Sequence, residues 1–291
     1  MTPNVETLII GAGISGIGAA IELQRRGHTS FALLEAASEL GGTWRENTYP
    51  GVAVDIPSVS YCFSFETDYP WSRQYATGAE IQRYLVHCAE KYGVTGHIRY
   101  RSHAVRCEFD SASDLWTTHL ENSTVVTSRF VIAATGLFSQ PVVPAIPGLE
   151  TFSGKAMHSA RWDRSYDVTS KRVAVIGTGA SAVQLVPEIA PLVAQLSVFQ
   201  RTPIWVGPRM DRPLSSNSRW SPRRFAVIRR LMRLVSESSI EFLTFAIANY
   251  RRLPLVVWLV QRSVRGWMRR QLNDQVIADA LVPDYTLGCK R

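Results

Sequence analysis

Three glycines with the spacing G-x-G-x-x-G, Gly11, Gly13 and Gly16, stand between an apolar run that ends at Ile10 and a stretch of helical pattern opening with small residues. Glycines so placed bind phosphate without covalent chemistry. The chain must turn sharply where the strand ends, and a side chain at Gly13 would collide with a pyrophosphate. Gly16 lets the helix lie close to the strand, so that the helix N-terminus faces the phosphate charge. Glu35 ends the next apolar run, 24 residues after Gly11, and a carboxylate there accepts both hydroxyls of a ribose. The glycines alone are a weak signal. Strand, turn, helix, strand and acid in sequence read as a dinucleotide site for an adenosine with free ribose hydroxyls.

The pattern recurs as GTGASA, with Gly177, Gly179, Ser181 and Ala182 after the apolar residues 173–176. Counting 24 residues on from Gly177 reaches Arg201, followed by Thr202. A cation cannot accept hydrogen bonds from a ribose diol, but it suits a 2′-phosphate. The second site is therefore expected to prefer NADPH to NADH; the alternative for Arg201 is a solvated surface arginine. Two dinucleotide sites in one chain suggest an electron relay, in which a flavin takes a hydride from the nicotinamide and passes electrons on. Disulfide reductases share that layout but need a redox cysteine pair. Cys62, Cys88, Cys107 and Cys289 are far apart, with no C-x-x-C, which also argues against a zinc site and suits a reducing cytoplasm.

These residues need elements to hold them. Residues 7–35 read as strand, turn, helix and strand, with Ile17, Ala20 and Ile21 on one helical face and Gly27 as the stop. Thr77 and Glu80 form a capping-box pattern. It opens a helix with Ile81, Tyr84, Leu85 and Cys88 on one face, closed near Gly93. Residues 41–73 read as a long ordered loop, and 97–133 as strands of an antiparallel insert returning to the parent sheet. The fold class expected is α/β, with two Rossmann-like domains: residues 1–140 for FAD, a proline-rich linker at 141–151, and 152–291 for NADPH with a helical insert at about 215–283.

Composition limits the remaining choices. The chain has 291 residues, 46% hydrophobic and 19% charged, an ordinary globular balance. Residues 201–291 hold 17 Lys and Arg against 6 Asp and Glu, whereas 1–200 hold 15 against 18. A basic C-terminal third suits nucleic acid, anionic lipid or a phosphorylated cofactor, and the motifs favour the cofactor. Arg223, Arg224, Arg229, Arg230 and Arg233 are read as a solvated helical face in preference to a membrane-surface helix. The apolar stretches 242–247 and 255–260 are too short to span a bilayer.

Two further motifs are more specific. Residues 152–163, FSGKAMHSARWD, fit F-x-G-x-x-x-H-x-x-x-W-[P/D], and residues 41–55, GGTWRENTYPGVAVD, fit G-G-x-W-x4-Y-P-G-x3-D. With residues 134–136 (ATG) and 283–291 (PDYTLGCKR), the chain resembles the Baeyer–Villiger monooxygenases, within the wider flavin-containing monooxygenase group. The resemblance covers essentially the whole chain and implies a cycle in which NADPH reduces FAD. Reduced flavin then meets O2, and the resulting C4a-peroxide attacks a ketone to give an ester or lactone. By the same resemblance Arg291 stabilises negative oxygen and Asp55 positions that arginine. Gly42, Thr43, Trp44, Asp55, Tyr61 and Thr135 would lie against the flavin nucleotide. Lys290, Arg201 and Thr202 would lie near the NADP 2′-phosphate. His158, a histidine without a spaced partner, is read as shaping the linker, and no metal is expected. Trp162 is read equally well as a core aromatic, and Asp55 as a loop-capping aspartate.

Two rivals stand beside this reading. One is a flavin monooxygenase oxidising nitrogen or sulfur, which the Trp162-Asp163 ending disfavours. The other is a nucleotide-binding fragment without turnover, suggested by the abrupt end at Arg291. On that view the 291 residues alone would bind FAD poorly and sustain no oxygenation.

Overall fold

The computed structural model describes residues 2–214 and 222–287. The chain divides into two compact units, the first made of Met1–Tyr49 and Thr77–Arg164, the second of Pro50–Ala76 and Ser165–Arg291. The sequence reading differs in two places. Residues 50–76 group with the second unit although they interrupt the first, and the 141–151 stretch groups with the first unit along with 152–164.

The first unit is built on a six-stranded sheet. Its strands are β1 (Val5–Ile10), β2 (Phe31–Leu34), β3 (Ile98–Arg99), β4 (Ala104–Asp110), β5 (Leu115–Leu120) and β6 (Val125–Ala133), in the order β3-β2-β1-β6-β5-β4. β1 pairs in parallel with both β2 and β6, while β5 and β4 add antiparallel strands outside β6. The expected insert thus returns to β1 through β6 and widens the same sheet. β2 is buried along its whole length, as a strand covered on both faces must be. Helix α1 (Ile14–Arg25) buries Gly16, Ile17, Ala20 and Ile21. A short turn of helix, α2 (Thr43–Glu46), follows. Helix α3 (Gly78–Lys91) buries Ile81, Tyr84, Leu85 and Cys88. The Thr77 side chain accepts a hydrogen bond from the Glu80 backbone N–H, so the cap is realised. Leu8, Ala32, Leu34, Leu120 and Val126 form a core cluster on the sheet.

The second unit holds the parallel pair β7 (Arg172–Ile176) and β8 (Gln195–Phe199), joined by helix α4 (Ala180–Ile189). Three helices follow, α5 (Pro222–Ala248), α6 (Pro254–Arg270) and α7 (Gln275–Leu281), where the sequence reading put a helical insert. The 50–76 segment is tied into this unit by polar contacts. Arg229 pairs with Asp68, Ser60 Oγ donates to Ser236 Oγ at 2.9 Å, and Arg73 meets Asp211 at 2.7 Å. Among the described residues no helix is long and apolar enough to cross a membrane.

Candidate functional site

In the first unit the turn after β1 is fixed by its neighbours. Gly11 has φ +103° and its N–H donates to the Leu34 carbonyl at 2.7 Å. A β-carbon on Gly11 would strike the Ala134 carbonyl oxygen, and one on Gly16 would strike the Gly11 carbonyl oxygen. The turn, helix α1 and the 134–135 segment are therefore in direct backbone contact, which gathers Thr135 into the same place. Gly13 faces the opposite way. Its nearest neighbour would be the Gly42 Cα at 3.7 Å, so two bare backbones line the mouth of the turn. Gly13 is also the N-cap of α1 and offers no side-chain cap, which leaves first-turn N–H groups open to an anion. Thr43 is exposed and Trp44 half-buried beside this mouth in sequence.

Glu35 is 6% exposed. One carboxylate oxygen accepts from Ala12 N and the other from Ala37 N, both at 2.9 Å. Each oxygen keeps a lone pair for a hydroxyl donor. Arg45 lies 4.0 Å from Glu35 and 2.9 Å from Glu46, and Arg161 approaches Glu46 at 3.7 Å. These charges join the ribose-type carboxylate to the 152–163 motif, and sequence inspection missed Arg45 and Glu46. Within that motif Lys155 pairs with Asp163 at 2.8 Å, and His158 Nδ1 accepts from Ala160 N at 3.1 Å. His158 thus caps a 3-10 turn, in keeping with a shaping role. The residues present fit a dinucleotide pyrophosphate and an unphosphorylated ribose.

The second turn copies the first. Gly177 has φ +104° and donates its N–H to the Phe199 carbonyl at 2.9 Å. Gly179 caps α4 with φ −71° and ψ −176°, against −79° and −170° at Gly13, again with no side-chain cap. Nothing lies within 4 Å of a β-carbon at either Gly177 or Gly179, so the cradle is open. Ser181 and Ala182 are half-buried in the first turn of α4. At the place of Gly16, where a β-carbon would strike the turn, α4 carries Ala182.

The strand register corrects the offset count. Ile10 pairs with Leu34 and Ile176 with Phe199. Glu35 follows Leu34, so its counterpart is Gln200, and Arg201 and Thr202 come next. The second connection is one residue shorter, which shifts any count made along the sequence. The carboxylate is still replaced, now by an amide followed by a cation. Arg201 is exposed and forms no ion pair with any described residue. That set fits a phosphorylated ribose.

Asp55 and Tyr61 belong to the second unit, where Asp55 is exposed and Tyr61 half-buried. The ribbon carrying Asp55 is held firmly. Val54 N donates to Ala76 O at 3.0 Å, and Ser58, 1% exposed, donates to Gln74 O at 2.9 Å and accepts from Ala76 N at 2.8 Å. Lys290 and Arg291 lie outside the described residues.

A family model described as pyridine nucleotide-disulphide oxidoreductase matches residues 8–246, a span that takes in both glycine turns. The chain belongs to that family. Among relatives of the pyridine nucleotide-disulphide oxidoreductase chain, a Baeyer-Villiger monooxygenase of Streptomyces coelicolor is 42% identical over 99% of this chain and 55% of its own length. A Baeyer-Villiger monooxygenase of Pseudomonas aeruginosa is also 42% identical, over 99% and 54%. The chain spans about half the length of the curated relatives it matches. A crystal structure of OTEMO in complex with FAD and NADP covers 100% of this chain and 62% of its own, with TM-score 0.83 and 28% identity. Oxidized steroid monooxygenase bound to NADP covers 99% and 61%, with TM-score 0.83 and 31% identity. The resemblance drawn from the motifs is borne out by these relatives, as is the α/β fold.

The disulphide in the family's name has no counterpart among the described cysteines. Cys62, Cys88 and Cys107 stand outside any disulfide. Burial pushes the Cys62 thiol up to about 11, against the pull of Arg233 and with a further push from Glu237 and Glu66. A thiol so shifted holds its proton at neutral pH and is a poor nucleophile.

Proposed function

We propose that the chain carries the cofactor-binding machinery of a flavin-dependent monooxygenase that uses FAD, NADPH and O2 to turn ketones into esters or lactones. The observation that carries this reading is the pair of matching turns with unlike endings, Glu35 after one and Gln200, Arg201 and Thr202 after the other. The FAD and NADP held by similar structures support it. So do the Baeyer-Villiger names of the relatives.

FAD, when bound, supplies a carrier that accepts a hydride and delivers electrons to O2. The chain's residues do the rest. Glu35 accepts the adenosine ribose hydroxyls of FAD, and the Gly13 backbone with the α1 N-terminus receives the pyrophosphate. Gly42, Thr43, Trp44, Tyr61 and Thr135 complete the flavin contacts. Gly177, Gly179, Ser181 and Ala182 receive the NADPH pyrophosphate, while Arg201, Thr202 and Lys290 take the 2′-phosphate. Asp55 orients Arg291, whose fixed charge favours negative oxygen as it forms.

The test is product formation from a ketone panel with NADPH and isotopically labelled O2. One labelled oxygen should enter an ester or lactone. Oxidation of amines and thioethers with every ketone untouched would replace this reading with nitrogen or sulfur oxygenation.

A further inference from the structure

Gln184 lies on α4, beyond the residues that would touch a nucleotide. Its side-chain amide makes two hydrogen bonds to one residue of the 50–76 segment. Ala53 N donates to Gln184 Oε1 at 3.3 Å, and Gln184 Nε2 donates to Ala53 O at 3.0 Å. At neutral pH a carboxamide offers donor and acceptor side by side without a charge, so Gln184 pairs with Ala53 much as a neighbouring strand would. Two residues earlier, Gly51 lies flat on the same helix. A β-carbon there would come within 2.6 Å of the Gln184 carbonyl oxygen and 2.7 Å of Glu188 Cγ. Two residues later comes Asp55. Ala53 and Val54 are buried whereas Asp55 is exposed, so the ribbon is fixed at its base and presents one carboxylate.

We propose that Gln184 is a positioning residue that sets the backbone carrying Asp55, so that the second glycine turn and the Asp55 carboxylate share α4 as a common support. The role of Asp55 itself rests on the function proposed above; the clamp does not. Gly179 opens the helix and Gln184 lies about one and a half turns along it. The same short rod therefore presents its N-terminus to a nucleotide and its flank to the 51–55 ribbon.

Two substitutions in the full chain test this by amide hydrogen exchange over residues 50–56. Gln184→Leu removes both bonds, and exchange at Ala53 to Asp55 should speed up by about tenfold, the size expected from one to two neutral hydrogen bonds. Gln184→Glu gives a sharper signature. The ionised carboxyl can accept from Ala53 N but repels Ala53 O, so the ribbon should open at pH 7.5. Protonation restores an acceptor and a donor, so at pH 5 exchange should return towards wild type after correction for intrinsic rates. The carboxyl pKa beside a carbonyl oxygen sits above the ordinary ~4.3, which puts pH 5 within reach of recovery. Wild type at both pH values controls for Glu188 and Asp55, the ionisable groups of the two packed elements nearest the clamp. Exchange over 172–189 should stay unchanged. Should Gln184→Leu fail to fold, the two-pH comparison on Gln184→Glu stands alone. Wild-type protection of 51–55 in Gln184→Glu at pH 7.5, or opening without recovery at pH 5, overturns the proposal. Where ketone oxygenation is measurable, kcat in Gln184→Glu should fall about tenfold at pH 7.5 with little change in the KM for NADPH. The exchange signature with kcat unchanged would keep the clamp and reject the role of Asp55.

Discussion

At position 16 one methyl group decides whether the first turn can close. A β-carbon there would collide with the Gly11 carbonyl oxygen, a backbone atom with no freedom to withdraw. Gly16→Ala should therefore cost more than the ~1–3 kcal/mol of ordinary overpacking, read as a fall in the urea midpoint. Ala182→Gly, at the matching place on α4, should cost only ~1 kcal/mol from helix propensity. Arg201 belongs to the same scale. Arg201→Ala should weaken NADPH binding by ~2 kcal/mol, the worth of a charge-assisted hydrogen bond, and barely alter NADH binding in a calorimetric titration. Equal losses would remove Arg201 from the 2′-phosphate. Cys62 gives a pH prediction. Its thiol rises from 9.0 to about 11 on folding, so the neutral form is held in the native state. The stability this contributes is whole below pH 9 and is lost as pH climbs towards 11. Wild type should lose more stability between pH 8 and 10.5 than Cys62→Ala does. The count to Arg201 missed the strand register by one residue, but the glycine turns and the place of Glu35 were legible because they depend on residue type and spacing. Arg45, Glu46 and Gln184 were not, because their partners are chosen by packing.

The elements were the most legible level. α1 and α3 follow their apolar periodicity, and Thr77 caps α3 as the sequence pattern demands. Thr77→Ala should cost ~1 kcal/mol, and Thr77→Ser should recover most of it; thermal unfolding followed by circular dichroism measures both. The limit of sequence reasoning shows between elements. The β7–β8 connection is one residue shorter than β1–β2, and only the strand register reveals that Gln200, not Arg201, answers Glu35. A helix period cannot report a one-residue difference in a connection. The same limit hid the partner of the 50–76 segment. It reads locally as loop, and its hydrogen bonds go to residues such as Gln184, Arg212 and Ser236, more than a hundred positions away.

At the scale of the whole molecule the two units are interlaced, because Pro50–Ala76 interrupts the first unit and joins the second. A cut within the proline-rich 141–151 stretch would not free either unit cleanly. Residues 1–164 expressed alone should keep the six-stranded sheet but expose 50–76 to protease, whereas the full chain should protect it. Mapping the first cleavage sites by mass spectrometry separates the two cases; protection of 50–76 in the shorter chain would contradict the interlacing. The arrangement also imposes an order on synthesis. Residues 50–76 leave the ribosome about a hundred residues ahead of the α4 helix that Ala53 pairs with. At ~5–20 residues per second, the nascent ribbon waits on the order of ten seconds with buried-type groups such as Val54, Ser58 and Trp71 uncovered. During that interval its backbone is available to any competing strand, so slowed elongation across 77–180 should lower the yield of native chain more than the same pause placed after residue 214.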